Sequence, residues 1–496
     1  MLRTSLIFVV IALLSLPFAD LEITTSHPWT ELGQIALGAI QPDLSALWQL
    51  KTALLNTVVF AFCGTSIGVV LGAGLAFGFS WAPIRLFCVF IRSIHEIFWA
   101  FLFLNIVGLN PICGVLSIAI PYAGIFAKVY AEIVQESDKQ PLVGIPTGTG
   151  VISRFIYGVL PVIYADAKHY TTYRFECALR SSAILGFIGL PTLGYHLETA
   201  FREGIYQTAW ALLYAFYLLI ASLKYWLKPR LTPFYVVGAF TLLSQEVTVS
   251  WANVLRFFTV DILPWPMRRV GVWSGTNHID FSLVPVLEWI KDILITEGVE
   301  GVWNTLILTQ IVLAGTGFFA LLVFPFTCRH FSRWPMRPIS QYVLVVLRTT
   351  PEYLLAYVFV QLWGPSMIPA VWAILLHNGA ILAFLTSNNA DRLQAQIDRP
   401  LRYIDRYFYE VLPRIYGQFL AFLFYRWEVI IRESAILGVL GIYTLGFYID
   451  SAIVDHQLDK AALLILLTGT LNMSIDAVSQ RVRRRLQIST KLFVLD

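Results

Sequence analysis

Arginine and glutamate recur at fixed spacing inside stretches of this chain that are otherwise apolar. Tyr173-Arg-Phe-Glu-Cys-Ala-Leu-Arg-Ser-Ser-Ala-Ile-Leu-Gly-Phe-Ile-Gly189 returns 252 residues later as Tyr425-Arg-Trp-Glu-Val-Ile-Ile-Arg-Glu-Ser-Ala-Ile-Leu-Gly-Val-Leu-Gly441. The same offset carries Leu160-Pro161 onto Leu412-Pro413 and Leu193-Gly194 onto Leu445-Gly446. A second charged pattern, Arg92-Ser-Ile-His-Glu96, matches Arg348-Thr-Thr-Pro-Glu352. Two sets of candidate residues result: Arg92, Glu96, Arg174, Glu176 and Arg180, and then Arg348, Glu352, Arg426, Glu428 and Arg432. Charge at membrane depth is costly and marks either a pathway or a pairing network. Guanidinium groups bind oxyanions through paired hydrogen bonds, and each set carries a surplus of one positive charge. Glu433, opposite Ser181, erodes the second surplus. The competing reading is structural, with buried Arg–Glu pairs locking two helices in register.

These residues need helices to hold them. The 496 residues are 57% hydrophobic, 15% aromatic and only 13% charged, with mean hydropathy +0.69. A soluble domain carries about 25% charged residues, so the composition is that of a polytopic helical membrane protein. Apolar spans lie near 4–19, 52–79, 84–107, 112–134, 162–196 and 205–223. A second set lies near 232–245, 303–326, 338–362, 366–387, 414–449 and 460–477. The fold class is therefore all-α, with about 12 transmembrane helices in two repeats of six, several of them reaching the roughly 20 residues that a crossing needs. The spacing puts Arg92 and Glu96 at i and i+4 on the third helix, on one face. Pro111 and Pro365 are expected to begin the fourth helix of each set.

The repeat extends to Asn56-Thr57 and Asn304-Thr305, and to Gly124 and Gly379. Both halves keep one helix order and orientation, which defines a parallel repeat. The boundaries are 1–230 for the first repeat and 231–496 for the second. Basic clusters include Arg85, Lys139, Arg154 and Lys168, then Lys224, Lys228 and Arg230. They continue at Arg329, Arg333 and Arg337, at Arg392, Arg399, Arg402 and Arg406, and finally at Arg481–Arg485. All fall on one side, so both termini are expected in the cytoplasm. Residues 20–50 and 246–302 are then external, and the second is rich in tryptophan (Trp251, Trp265, Trp273, Trp289). Residues 1–19 read as a retained helix or as a cleaved signal, and the equally short run Phe234–Leu243 favours retention.

The motifs Arg-Ser-Ile-x-Glu, Tyr-Arg-x-Glu-x-x-x-Arg-Ser and Leu-Gly-x-x-Gly-x-x-x-x-Gly resemble those of the permease subunits of phosphonate ABC importers. The resemblance covers most of both halves, as if two permeases were fused. It implies an inner-membrane importer component with two cytoplasmic ATP-binding subunits and a periplasmic solute-binding protein as partners. It also implies a cytoplasmic coupling segment that docks on the ATPase. Pro141-Leu-Val-Gly-Ile-Pro-Thr-Gly148 leads to Leu160-Pro161 there, with Gly144 and Gly148 retained and the family's Glu-Ala-Ala lost. In the second half Asp398-Arg-Pro-Leu-Arg402 runs to Leu412-Pro413 without the glycine.

Several classes drop out. No GxxxxGK[ST] is present, so ATP is used by partner subunits and the chain needs no cofactor of its own. Eight scattered histidines and five cysteines (63, 88, 113, 177, 328) without a CxxC pair offer no catalytic set and no metal site. His95 lies between Arg92 and Glu96, but its counterpart is Pro351, against a symmetric role. The net charge of +4 with basic residues at helix ends suits membrane lipid rather than nucleic acid. Substrates are expected among phosphonate, phosphate and phosphite. An ion-coupled secondary transporter for a small anion and a membrane scaffold are the alternatives.

Overall fold

The computed structural model describes all residues except 26–27, 139, 141–143, 147, 244–248, 269–282, 333, 394–401 and 487–496. Lys139, Trp273, Arg333 and Arg399 therefore lie outside the described residues, as do residues 141–143 and 398–401 of the coupling strings.

Sixteen helices form the membrane part among the described residues. They are α1 (Leu2–Ser15), α2 (Lys51–Phe77), α3 (Ala82–Ser93), α4 (Glu96–Val107), α5 (Pro111–Glu136), α6 (Leu160–Ile184), α7 (Leu193–Arg202) and α8 (Tyr206–Trp226). The second series is α9 (Thr232–Leu243), α10 (Val299–Thr327), α11 (Met336–Thr349), α12 (Glu352–Trp363), α13 (Met367–Asp391), α14 (Leu412–Ser434), α15 (Leu445–Val454) and α16 (Leu458–Arg485). Six are long and apolar enough to cross a membrane, four bent pairs pass the same test together, and α1 and α9 are shorter apolar helices. Counting each bent pair as one span gives ten, and α1 and α9 bring the apolar elements to the twelve expected from the apolar runs.

The chain forms two compact units, and they cut across the sequence repeat. The first comprises Ile35–Phe257, the second Met1–Gln34 with Phe258–Lys491. Each unit thus contains the opening helix of the other repeat. In the second unit α1 lies on α10: Gln310 donates to the Phe8 carbonyl at 3.1 Å, and the Phe8 ring sits 5.1 Å from both Phe424 and Trp427. In the first unit α9 lies on α2, with the Tyr235 ring 5.7 Å from Phe62 and 6.0 Å from Trp226.

The centre of each unit is one helix pair, α2 with α5 and α10 with α13. In the first pair the contacts advance together along both helices (Gly64 on Ile118, Gly68 on Tyr122, Gly72 on Phe126), a parallel register. In lipid, close packing rather than water exclusion drives such contacts, and small residues permit it. Gly64, Gly68 and Gly72 form that stripe on α2; a Cβ on Gly68 would stand 2.9 Å from the Tyr122 Cβ. At the corresponding positions of α10 stand Val312, Thr316 and Ala320, all buried. Pro111 opens α5, where the Asn110 side chain accepts the Ile112 N–H at 3.0 Å. Pro365 falls two residues before α13 begins at Met367, a small shift from the expected start.

Candidate functional site

The third span of each repeat is broken, and this corrects the reading of Arg92 and Glu96 as two turns of one helix. Arg92 sits in the last turn of α3 and Glu96 in the first turn of α4, with a 93° bend between them. Arg348 and Glu352 repeat this on α11 and α12, again at 93°. The break places each charge where a helix end favours it. Carbonyls with partial negative charge surround the arginine, and N–H groups with partial positive charge surround the glutamate. Side chains complete the breaks. His95 Nδ1 accepts the Ile97 N–H at 3.2 Å and Trp99 Nε1 donates to the Ile91 carbonyl at 3.2 Å. In the second unit His377 Nδ1 donates to the Thr350 carbonyl at 2.9 Å. Arg92, Glu96 and Glu352 are all buried.

The fifth span also bends, by 54° between α6 and α7 and by 44° between α14 and α15. Its glycine motif explains how. Gly189 and Gly441 hold φ of 89° and 81° at the turn, a left-handed conformation that glycine adopts without steric cost. Gly186 and Gly194 lie so close to the facing chain that a Cβ on either would run into backbone at Tyr195 or Ala183. Gly438 and Gly446 make the same approach to Phe447 and Ala435.

Glu176 and Arg180 stand one turn apart on α6, as do Glu428 and Arg432 on α14. The settings of the paired arginines differ. Arg174 donates from Nε to the Tyr170 hydroxyl at 2.9 Å, and its guanidinium lies 5.5–5.9 Å from the rings of Tyr122, Tyr170 and Tyr173. Arg426 instead donates to the Asn378 amide oxygen at 3.2 Å, while that amide donates to Glu433 at 2.6 Å. Arg348 lies over the Phe384 ring at 4.2 Å.

The segments before Leu160-Pro161 and Leu412-Pro413 share a shape that the sequence did not announce. A short helix (Val151–Arg154) passes through a wide turn (Phe155–Val159) directly into α6, and Tyr403–Asp405 passes through Arg406–Val411 into α14. Proline has no N–H to offer the preceding turn, and the ladder widens just before it. The Leu160 N–H reaches the Phe155 carbonyl, and the Leu412 N–H the Tyr407 carbonyl. Gly144 and Gly148 lie in exposed non-helical chain, and Arg402 caps the second short helix from outside. Ile152, Ile156 and Tyr157 are exposed at 76%, 45% and 78%; their 252-residue counterparts Ile404, Phe408 and Tyr409 at 71%, 56% and 78%. These matched apolar triplets lie outside the charged and glycine motifs that mark the segment in sequence. The shared offset was the signal.

No family model matches the chain. Among known proteins, the phosphate-import permease protein PhnE of Mycolicibacterium smegmatis is 24% identical over 487 residues, covering 90% of this chain and 87% of that protein. The phosphite transport system permease protein PtxC of Stutzerimonas stutzeri is 26% identical over 192 residues, 37% of this chain and 70% of its own length. A putative cryptic phosphonate transport system permease protein, PhnE2 of Escherichia coli, is 30% identical over 122 residues, 24% of this chain and 99% of its own length. Full-length similarity to one relative and part-length similarity to the others, joined to the repeated charged breaks, lead to one conclusion: the chain belongs to the permeases of phosphonate-type ABC importers, with two copies of that permease fused in one polypeptide.

Proposed function

We propose that this multi-pass membrane permease forms the translocation path of an ATP-driven, binding-protein-dependent importer for phosphonate or a related phosphorus oxyanion, phosphate or phosphite. The carrying observation is the pair of broken third spans, each with an arginine and a glutamate at helix ends deep in an apolar unit. Arginine at such a place suits a passing oxyanion, because its fork of N–H donors matches oxygens on phosphorus. Glutamate keeps the path from holding the anion too tightly. Arg174, Glu176 and Arg180, with Arg426, Glu428 and Arg432, extend each set along the fifth span. The names of the relatives, which specify phosphate, phosphite and phosphonate transport systems, support the substrate class.

Energy enters through partners. In this reading two cytoplasmic ATP-binding subunits dock on the exposed triplets Ile152/Ile156/Tyr157 and Ile404/Phe408/Tyr409, next to Gly144, Gly148, Arg402 and the two Leu-Pro elements. A periplasmic solute-binding protein delivers the anion from the other side, and both termini of the permease face the cytoplasm of a bacterial inner membrane. The test is reconstitution of the permease with its ATPase and receptor in vesicles. Uptake of a simple alkylphosphonate is expected to need both partners and ATP, with phosphite and phosphate as competitors. Uptake driven by a proton gradient without ATP would contradict the proposal and favour ion-coupled transport.

A further inference from the structure

The two units differ most sharply beside the broken third span. In the first, Glu96 has near it the Tyr122 hydroxyl, 3.4 Å from the Ser181 hydroxyl, both side chains buried. The positions that correspond to Tyr122 and Ser181 hold His377 and Glu433 in the second unit. Ligand atoms of Glu352, His377 and Glu433 all lie within 4.8 Å of one another, and the three residues are 7%, 1% and 9% exposed. A neutral hydroxyl pair has been exchanged for an imidazole and a second carboxylate.

Two carboxylates that share a buried site repel each other, and a bound cation relieves that repulsion. Thr350 offers only a carbonyl, so Nδ1 of His377 carries the proton of that 2.9 Å bond, and Nε2 is left as the nitrogen with a ligating lone pair. Imidazole held by a backbone carbonyl through its other nitrogen, beside a carboxylate held by an amide (Asn378 to Glu433, 2.6 Å), is the outer support that metal ligands use. We infer that Glu352, His377 and Glu433 form a buried binding site for a divalent cation of the zinc class in the second unit, with no equivalent in the first. One imidazole nitrogen and two carboxylate oxygens suit zinc or manganese better than magnesium or calcium, which take oxygen alone. Zinc holds such atoms at about 2.0–2.2 Å, so the three groups close on an ion with shifts of about 1 Å.

The other convergent set, Cys328, His330 and Asp391, is a weaker candidate. Asp391 already accepts from the Cys328 thiol at 3.1 Å and the Arg329 N–H at 2.7 Å, with the Arg337 guanidinium 3.7 Å away. Burial, and then the Asp391 charge, push the Cys328 thiol well above its ordinary range, which keeps it a donor rather than a ligand.

The first unit supplies the variants. His377→Tyr and Glu433→Ser each install the residue that the other repeat folds with. The full-length permease, purified with its partner subunits in lipid nanodiscs and stripped with chelator, is titrated with Zn²⁺ and then with Mn²⁺, and bound metal is counted by elemental analysis. The expected result is about one ion per chain, bound at least about 100-fold more weakly by either variant, since each removes a ligand and not only its outer support, with a zinc-dependent rise in Tm confined to the wild type. Cys328→Ser is expected to bind as the wild type does. Absence of a stoichiometric ion in the wild type would overturn the inference. So would retention of the ion by both variants with loss in Cys328→Ser, or a Tm that follows pH and ignores zinc, which would mark a proton-held cluster.

Discussion

The two units present the same backbone device in different surroundings. Both break the third span by 93° between an arginine and a glutamate, and both bend the fifth span around a pair of facing glycines. In its walls the first unit is aromatic and hydroxylic, with Tyr122, Ser181 and Phe62. The second is ionic and amide-rich, with His377, Glu433 and Gln310 at the matching positions and Asn378 next to His377. Phe62 packs against tilted rings where Gln310 donates to a carbonyl. The comparison separates what a broken helix requires from what its walls tolerate. Charges at helix ends and backbone-to-backbone glycine contacts are fixed by geometry, whereas wall residues need only fill space and satisfy each other.

The largest effect tests the glycine contacts. Gly186→Leu and Gly438→Leu should each abolish recovery of folded protein in fluorescence-detected gel filtration. A side chain there meets backbone rather than a yielding side chain, and such strain exceeds about 4 kcal/mol, the range of exceptional destabilisation. Full recovery of either variant would mean that the spans do not approach as described.

The glutamates come next. Glu96→Gln and Glu352→Gln should lower stability in nanodiscs by up to about 2 kcal/mol each, the value of a partly buried charge at a favourable helix end. Similar losses in the two units would show that the helix end is the common cause. A much larger loss for Glu352 alone would instead point to its neighbours His377 and Glu433.

A smaller effect concerns the central helix pairs. Gly68→Thr installs the residue found at Thr316 and should cost about 1–3 kcal/mol by overpacking against Tyr122. Thr316→Gly should be milder, since it removes only a small side chain. If both changes are neutral, the small-residue stripe does not set the approach of α2 to α5.

Much of this fold was legible in the sequence. Apolar runs marked the positions of the six long spans, the four bent pairs and the two shorter apolar helices, because backbone at membrane depth must satisfy its own hydrogen bonds in apolar helix. The 252-residue offset gave the second copies of Arg174, Glu176 and Arg180 on the fifth span. The break in the third span was not legible in the first repeat. Arg92 and Glu96 at i and i+4 read as one helical face, and nothing between them forbids a helix. In the second repeat Pro351 was a clue, since a residue before proline, here Thr350, is pushed toward extended backbone. His377 was passed over as one of eight scattered histidines, although its place two residues before Gly379, where the other repeat has Tyr122, marked the divergence. The exchange of α1 and α9 left no local trace, because a short apolar helix suits the outside of either unit.

The central claim is that the arginines at the two breaks serve oxyanion import rather than merely hold the helices. The direct measurement is ATP-dependent uptake of an alkylphosphonate by the reconstituted complex, for wild type, Arg92→Gln and Arg348→Gln, with Tm recorded on the same preparations. Uptake should fall at least about tenfold in each variant, the effect of losing one charge-assisted contact to the anion, while Tm moves by only a few degrees. Unchanged uptake in both variants, or losses that follow Tm alone, would contradict the account.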